Sequence, residues 1–208
     1  MAIDKTFRFC YCNRMIRVIY FDYHGVLDRR HFHGLLEVIA KASGQPDLEK
    51  VAANLASYGY DYTTGKVAPH EFWRSVEERY GTTANRAGRQ YQLHVEPVRE
   101  MWNLLSDLHE RYDLGLLTDS AIDQKEVIRS AYALTDYFDF LIFSCDTVFS
   151  KRDIEFYQLM RQAGRYQPGE CLLVDDVERN CSLASEQGFQ AHLFTDAPTL
   201  RGQLERLQ

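Results

Sequence analysis

The chain has 208 residues, of which 45% are hydrophobic, and a formal net charge of −6. This length suffices for one core domain with a small insertion. The negative charge argues against nucleic acid or an anionic membrane surface as the main partner, and no apolar run approaches the roughly 18 residues of a membrane span.

The first 14 residues show no clean hydrophobic periodicity, so residues 1–14 are predicted to be an N-terminal extension. Translation starting at Met15 instead of Met1 is the alternative. No apolar core of a signal peptide is visible, and the five cysteines have no disulfide-framework spacing. Reduced thiols and a cytoplasmic location are therefore expected. The oligomeric state stays open.

The segment VIYFDYHGVL, residues 18–27, is the most informative stretch of the chain. Its apolar first half predicts a buried parallel strand. Asp22 then lies at the carboxyl end of that strand, where open α/β sheets bind their ligands. An acid at this place is a candidate nucleophile or metal ligand, and Gly25 allows the tight turn behind it. A strand that merely ends in a capping aspartate is the plain alternative.

Residues 29–95 have the pattern of about four helices, with a break at residues 44–47 (Gly-Gln-Pro-Asp). The two arginines and two histidines at the start of this stretch are interpreted as a solvated basic loop or an anchor for an anionic substrate, and a transition-metal cluster is the weaker alternative. Residues 98–111 predict an amphipathic helix. Strands are then predicted near 113–117, 139–143, 170–174 and 190–194, with helices near 121–133, 153–163, 177–187 and 197–207.

This alternation predicts an α/β fold with a doubly wound, parallel, Rossmann-like sheet. Gly164 and Gly188 are predicted to end the helices that precede them.

Three later segments add polar groups at predicted strand or helix ends. LGLLTDS (114–120) offers Thr118, which is a candidate phosphate ligand or a helix N-cap. SKRDIEFYQLM (150–160) offers Lys151, for which a plain surface lysine is the alternative. CLLVDDVERN (171–180) ends a buried strand in Asp175 and Asp176, two adjacent acids that favour a cation between them and Asp22.

These four segments together, in this order, resemble the haloacid dehalogenase-like hydrolase superfamily, and the resemblance runs from about Met15 to the C-terminus. It implies that residues 15–28 and 96–208 form the core and that residues 29–95 form a small helical cap. It also implies the site roles. Asp22 would be the nucleophile, Thr118 and Lys151 would stabilise phosphoryl charge, with Asp119 and Ser120 beside them, and Mg²⁺ would be held by Asp22, the His24 carbonyl, Asp175 and Asp176.

The chain departs from the family pattern at three positions. His24 stands where family phosphatases usually carry a second aspartate that acts as general acid and base; a histidine near its ordinary pKa could donate a proton, or its side chain could only pack. Asp119 stands where many relatives have a neutral residue, and Arg152 stands where proline is usual. Arg152 could compensate the charge of Asp119.

The resemblance favours a Mg²⁺-dependent phosphomonoesterase that acts on a small phosphorylated molecule through an aspartyl-phosphate. A 2-haloacid dehalogenase is the second hypothesis, since those relatives also lack the second aspartate. Against it, they need no metal and use a cap arginine, whereas no arginine lies between Arg30 and Arg74. A degenerate member that only binds a ligand is the third hypothesis.

Overall fold

The computed structural model describes residues 15–206. The predicted N-terminal extension, residues 1–14, lies outside the described residues. Five strands form one sheet in the order β3-β2-β1-β4-β5, and every neighbouring pair is parallel. The strands are β1 (Val18–Phe21), β2 (Asp113–Thr118), β3 (Phe140–Phe143), β4 (Cys171–Asp175) and β5 (Gln190–Leu193). The predicted doubly wound parallel sheet is confirmed.

Eight α-helices accompany the sheet within the described residues. They are α1 (Phe32–Ser43), α2 (Leu48–Thr63), α3 (Pro69–Gln92), α4 (Arg99–His109), α5 (Ile122–Ala131), α6 (Ile154–Gly164), α7 (Glu178–Glu186) and α8 (Ala197–Arg206). Among these helices, none is both long enough and apolar enough to cross a membrane.

The central position of β1 determines where the sheet can bind a ligand. The chain passes from β1 to β2 and β3 on one side and then crosses over to β4 and β5 on the other. The carboxyl ends of β1 and β4 therefore flank the point at which the strand order reverses, where open α/β sheets have their ligand crevice. All four residues of β1 are buried, as its apolar sequence predicts.

Helices α1, α2 and α3, here called the helical insertion, leave the sheet after β1 and pack around a core of their own. Aromatic side chains dominate this core, and the rings of Tyr62 and Phe72 stack with centroids 4.0 Å apart. The insertion differs from the sequence prediction in one respect. The third and fourth predicted helices form one helix, α3, with a kink at Gly81, whose φ of 86° is outside the helical range.

The predicted helix ends are correct at Gly188, which has a φ of 84°, and wrong by one residue at Gly164. Helix α6 includes Gly164, and Arg165 takes the left-handed conformation that ends it. A β-carbon on Gly164 would lie 2.5 Å from the Tyr166 ring. Close packing against Tyr166 thus accounts for this glycine, and the sequence pattern does not distinguish that from a helix stop.

Side-chain hydrogen bonds join the helical insertion to the sheet domain. Asp123, in the first turn of α5, accepts a hydrogen bond from the Tyr62 hydroxyl at 2.7 Å and another from the Trp73 indole N–H at 3.1 Å. The Tyr60 hydroxyl donates to Asp153 at 2.8 Å. Tyr62 and Trp73 are both buried. The Asp123 carboxylate therefore accepts hydrogen bonds from two polar groups that have little access to water.

We expect Asp123→Ala to lower the free energy of unfolding by about 2–4 kcal/mol, because it leaves two buried donors without their charged acceptor. Urea denaturation followed by circular dichroism measures this. Asp136→Ala, which removes an exposed acid, is the matched control and should cost less than about 0.5 kcal/mol. Equal stabilities of the two variants would show that the Asp123 contacts do not hold the insertion in place.

Candidate active site

A buried lysine lies between two acids at the reversal point of the sheet. Asp22 directly follows β1, and Asp175 ends β4. The Lys151 ammonium lies 2.7 Å from Oδ1 of Asp22 and 2.7 Å from Oδ2 of Asp175. The lysine side chain is only 2% exposed, so it is not the surface lysine of the plain alternative. The structure thus brings together three residues from three separate predicted motifs.

The pKa values of the side chains in this cluster are shifted from their usual ranges. Burial raises the pKa of Asp22 well above its usual range, Lys151 opposes that effect, and the nearby Asp175 and Asp176 add to it. Burial by itself lowers the pKa of Lys151, but the surrounding carboxylates outweigh this and raise it. The lysine is therefore protonated, and a further cation would stabilise the ionised form of Asp22.

The two adjacent acids after β4 have different environments. Both oxygens of Asp175 are engaged: Oδ2 with Lys151, and Oδ1 with the Val177 N–H at 2.9 Å and the Asn180 side-chain amide at 3.0 Å. Asp176 lines the cavity above the sheet. Burial and the Asp175 charge raise the pKa of the Asp176 carboxyl. Asp175 thus has a structural role that the sequence did not reveal, whereas Asp176 faces the cavity.

The donor set of the cluster fits a hard divalent cation. One carboxylate oxygen each from Asp22, Asp175 and Asp176 lie within 4.8 Å of one another. Oxygen ligands with a net negative charge are what Mg²⁺ and Ca²⁺ prefer, and transition metals would favour histidine or cysteine donors. Asp22 and Asp176 are the members best able to hold such an ion, since Asp175 already accepts three hydrogen bonds.

Gly25 makes room for one of these acids. Its φ of 79° is in the left-handed region, and a β-carbon at this position would lie 2.1 Å from a carboxylate oxygen of Asp176. Any larger residue would therefore displace that carboxylate. The sequence predicted the tight turn, but the contact with Asp176 is visible only in the structure.

The His24 side chain is partly buried and is held by Gln124. Gln124 accepts the Ala121 N–H through Oε1 at 3.0 Å, which directs its amide nitrogen toward Nε2 of His24, 3.3 Å away. This nitrogen of the imidazole then acts as a hydrogen-bond acceptor. Burial lowers the pKa of His24 to about 4, and the Arg30 and Lys151 charges contribute in the same direction. The side chain is thus neutral near pH 7, in contrast to the ordinary pKa assumed from the sequence.

The predicted phosphate-binding residues divide into two groups. Thr118 and Ser120 are fully buried, and their hydroxyls lie 3.1 Å apart. Asp119 and Lys151 line the cavity, and Asp119 accepts the Lys151 backbone N–H at 3.0 Å. Burial raises the pKa of Asp119, whereas Lys151 and, more weakly, Arg152 lower it. The Arg152 charge thus acts on Asp119 in the predicted direction, but the pKa of Asp119 stays raised.

Of the basic residues that begin the helical insertion, Arg30 has a structural partner. It is 5% exposed and its Nε donates to the fully buried Asp28 at 2.8 Å. His31 lines the cavity, and its Nδ1 caps α1 by accepting the Gly34 N–H. The described residues contain no histidine-rich ligand cluster, so the weaker transition-metal interpretation has no support in residues 15–206.

A cavity of about 300 Å³ lies between the helical insertion and the carboxyl edge of the sheet, which is within the size range of small-molecule sites. Several residues that line or order it were not identified from the sequence: Tyr60, Gln124, Arg179 and Asn180. Arg179 and Asn180 had a local signal, since both lie in the helical turn that follows Asp175 and Asp176.

The model of the haloacid dehalogenase-like hydrolase family matches residues 16–186. The search of curated proteins gave no match. An HAD family enzyme from Bacteroides thetaiotaomicron is similar with a TM-score of 0.75 and 22% identity, over 90% of this chain and 99% of that one. A structure of the wild-type form of that enzyme is a complex with magnesium and inorganic phosphate.

Two further solved structures are similar. A predicted HAD-like family hydrolase from Porphyromonas gingivalis has a TM-score of 0.74 and 21% identity, over 93% of this chain and 98% of that one. L-2-haloacid dehalogenase from Xanthobacter autotrophicus has a TM-score of 0.62 and 19% identity, over 92% of this chain and 83% of that one. At these identities the similarity establishes the fold.

The two neighbouring acids should respond differently to amidation. Asp176→Asn should weaken Mg²⁺ binding at least tenfold with little loss of stability, because it removes a ligand charge from a cavity wall. Asp175→Asn should lower the free energy of unfolding by about 3 kcal/mol, since Lys151 loses a buried partner. Titration calorimetry and urea denaturation of both variants measure this. Equal stability losses, or unchanged metal affinity in Asp176→Asn, would contradict the assignment.

Proposed function

The chain belongs to the haloacid dehalogenase-like hydrolase family, and on this premise we propose that it is a magnesium-dependent phosphomonoesterase. The observation that carries the proposal is the Lys151 ammonium, 2.7 Å from Asp22 at the edge of a cavity that also exposes Asp176. A nucleophile, a fixed cation and a second carboxylate thus meet at the carboxyl edge of the sheet, where β1 and β4 end. This combination suits the transfer of a phosphoryl group.

In the proposed reaction, an Asp22 carboxylate oxygen attacks the phosphorus of a monoester. The phosphorus–oxygen ester bond breaks, and the leaving oxygen departs with the electron pair and takes a proton from solvent water. Water then attacks the phosphorus of the aspartyl-phosphate and releases a proton to solvent. The bond between phosphorus and the Asp22 oxygen breaks, which frees inorganic phosphate and restores Asp22. Lys151 stabilises negative charge on the phosphoryl oxygens because its ammonium is already positioned and desolvated. Thr118 ends β2, and its contact with Ser120 holds the loop that follows this strand.

Magnesium, when bound, would neutralise phosphoryl charge and reduce the repulsion between the attacking carboxylate and the substrate. Asp22 and Asp176 would hold it, together with the His24 backbone carbonyl, and Asp175 would lie beside them. The magnesium and phosphate complex of the Bacteroides enzyme supports this proposal by similarity of fold.

The helical insertion, within residues 29–95, is proposed to be the cap that closes over the substrate and sets its identity. A small phosphate ester in the cytoplasm is the proposed substrate class, with no nucleic-acid or membrane partner. The dehalogenase hypothesis has less support, because three clustered acids favour a metal and because Arg30 is paired with Asp28 and not available for halide.

The proposed role of His24 is narrower than the sequence suggested. A neutral imidazole whose Nε2 accepts a hydrogen bond from Gln124 has no proton at that atom to give to a leaving group. We therefore propose that His24 orders the loop after Asp22, and that the leaving oxygen departs without a strong acid from this side chain.

Asp22→Asn should reduce the hydrolysis of 4-nitrophenyl phosphate at least 10³-fold, because an amide is not a nucleophile and lacks the charge that attracts the metal. In the wild type, EDTA should abolish this activity and excess Mg²⁺ should restore it. Phosphate release and circular dichroism together provide the measurement and the folding control. Full activity in EDTA would contradict the metal-dependent mechanism and favour the dehalogenase hypothesis, which 2-chloropropionate turnover then tests.

A second pair of variants tests His24. His24→Ala should reduce alkyl and aryl ester hydrolysis by similar factors, and His24→Asp should raise alkyl ester hydrolysis about tenfold or more by supplying a proton donor. With a pKa of about 4, His24 is already neutral at pH 6, so wild-type activity on alkyl esters should not fall between pH 6 and 8. A fall confined to alkyl esters would instead identify an imidazolium acid.

A further inference from the structure

The cavity over Asp22 has two chemically different sides. The side formed by the sheet domain carries charge, with Asp119, Lys151, Arg152, Asp176 and Arg179 among the lining residues. The side formed by the helical insertion has polar groups from Arg30, His31, Tyr91 and Gln92, but its part on α1 and α2 is mainly apolar or small. Its lining residues on α1 and α2 are Phe32, Leu35, Ala56, Gly59, Tyr60, Tyr62 and Thr63. A phosphoryl group bound at Asp22 would thus lie on the charged side, with its leaving group directed at the insertion.

One face of α2 leaves space for that leaving group. Ala56, Gly59, Tyr60 and Thr63 follow the spacing of a single helix face. The first two have minimal side chains, so the room beside them belongs to the cavity. A β-carbon on Gly59 would lie 3.5 Å from the Phe32 ring, an ordinary contact. Packing does not require glycine here, although glycine in a helix costs up to about 1 kcal/mol relative to alanine.

The hydroxyl groups on this side already donate their protons within the protein. The Tyr60 hydroxyl donates to Asp153, the Thr63 hydroxyl to the Gly59 carbonyl at 3.0 Å, and the Tyr91 hydroxyl to the His31 carbonyl at 3.1 Å. A leaving group with several hydroxyls, such as a sugar, would lose water here and find no free hydroxyl proton among Tyr60, Thr63 and Tyr91. An apolar leaving group has no such cost.

Two apolar side chains extend the same surface to the cavity entrance. Phe32, from the insertion, is 44% exposed, and Val177, from the segment after β4, is 44% exposed, and both line the cavity. Exposed apolar side chains on both the helical insertion and the sheet domain favour an apolar ligand between them.

From these observations we infer that the substrate is a phosphate monoester with an apolar, ring-sized leaving group, and not a sugar or polyol phosphate. The inference rests on the proposed phosphomonoesterase function. In this inference Phe32, Leu35 and the small residues Ala56 and Gly59 determine which leaving group fits the cavity.

The test compares 2-phenylethyl phosphate with glucose 6-phosphate. Both are esters of primary alcohols, and the sugar is the better leaving group, so chemistry alone would not favour the phenylethyl ester. We expect kcat/KM for 2-phenylethyl phosphate to be at least tenfold higher in the presence of Mg²⁺. The Asp22→Asn variant should bind that ester more tightly than the sugar phosphate in titration calorimetry.

Variants of the apolar surface locate the preference. Phe32→Ser should lower the ratio of the two kcat/KM values at least fivefold, and it should fold because Phe32 is half exposed. Gly59→Ala, which fills part of the cavity without a clash, should raise KM for the phenylethyl ester. Leu193→Ala removes an equally exposed apolar residue that does not line the cavity and should leave the ratio unchanged.

The outcomes separate this inference from the function on which it rests. Mg²⁺-dependent hydrolysis of 4-nitrophenyl phosphate together with a preference for glucose 6-phosphate would overturn the inference and leave the phosphomonoesterase proposal intact. An unchanged ratio in Phe32→Ser and Gly59→Ala would also overturn it. No hydrolysis of any of the three esters would overturn both.

Discussion

The contact of the Lys151 ammonium with Asp22 and Asp175 is the interaction on which the rest of the site depends. In the parallel register Phe21 lies opposite Val174, so the next residue of each strand, Asp22 and Asp175, comes to the same level of the sheet edge. Two buried carboxylates so close together repel each other. Lys151 relieves this repulsion, and Asp119 fixes its backbone. The register that forms the sheet therefore also creates the charge repulsion that Lys151 must offset.

The helical insertion and the loop after Asp22 contact neighbouring residues of the same helix. Asp123 accepts hydrogen bonds from Tyr62 and Trp73 of the insertion, and Gln124 contacts His24. A shift of the first turn of α5 would therefore move the hydrogen-bond partners of both the helical insertion and His24. This adjacency connects the position of the insertion to His24, one of the three residues at which this chain departs from the family pattern.

The sequence predicted the sheet well, because buried parallel strands are continuous apolar runs and their polar ends are easily seen. It also predicted that Asp22, Lys151 and the acidic pair would come together. It did not separate the roles of Asp175 and Asp176, since these depend on which oxygen meets Asn180 or Gly25 across the fold. The partner of His24 was equally hidden, as Gln124 is 100 residues away along the chain. The single helix α3 was also missed, because the residues before and after Gly81 each have a helical pattern and the glycine between them indicates a break.

The Trp73 contact has a consequence for observing the protein at work. The chain has two tryptophans, and they lie in different bodies: Trp73 in the insertion, with its indole N–H on Asp123, and Trp102 on α4, stacked on Tyr132. Separation of the insertion from α5 would expose the Trp73 indole to water and shift its emission to longer wavelength. With Trp102 replaced by phenylalanine, the protein would carry its own fluorescent reporter of opening, readable in stopped flow without any attached dye.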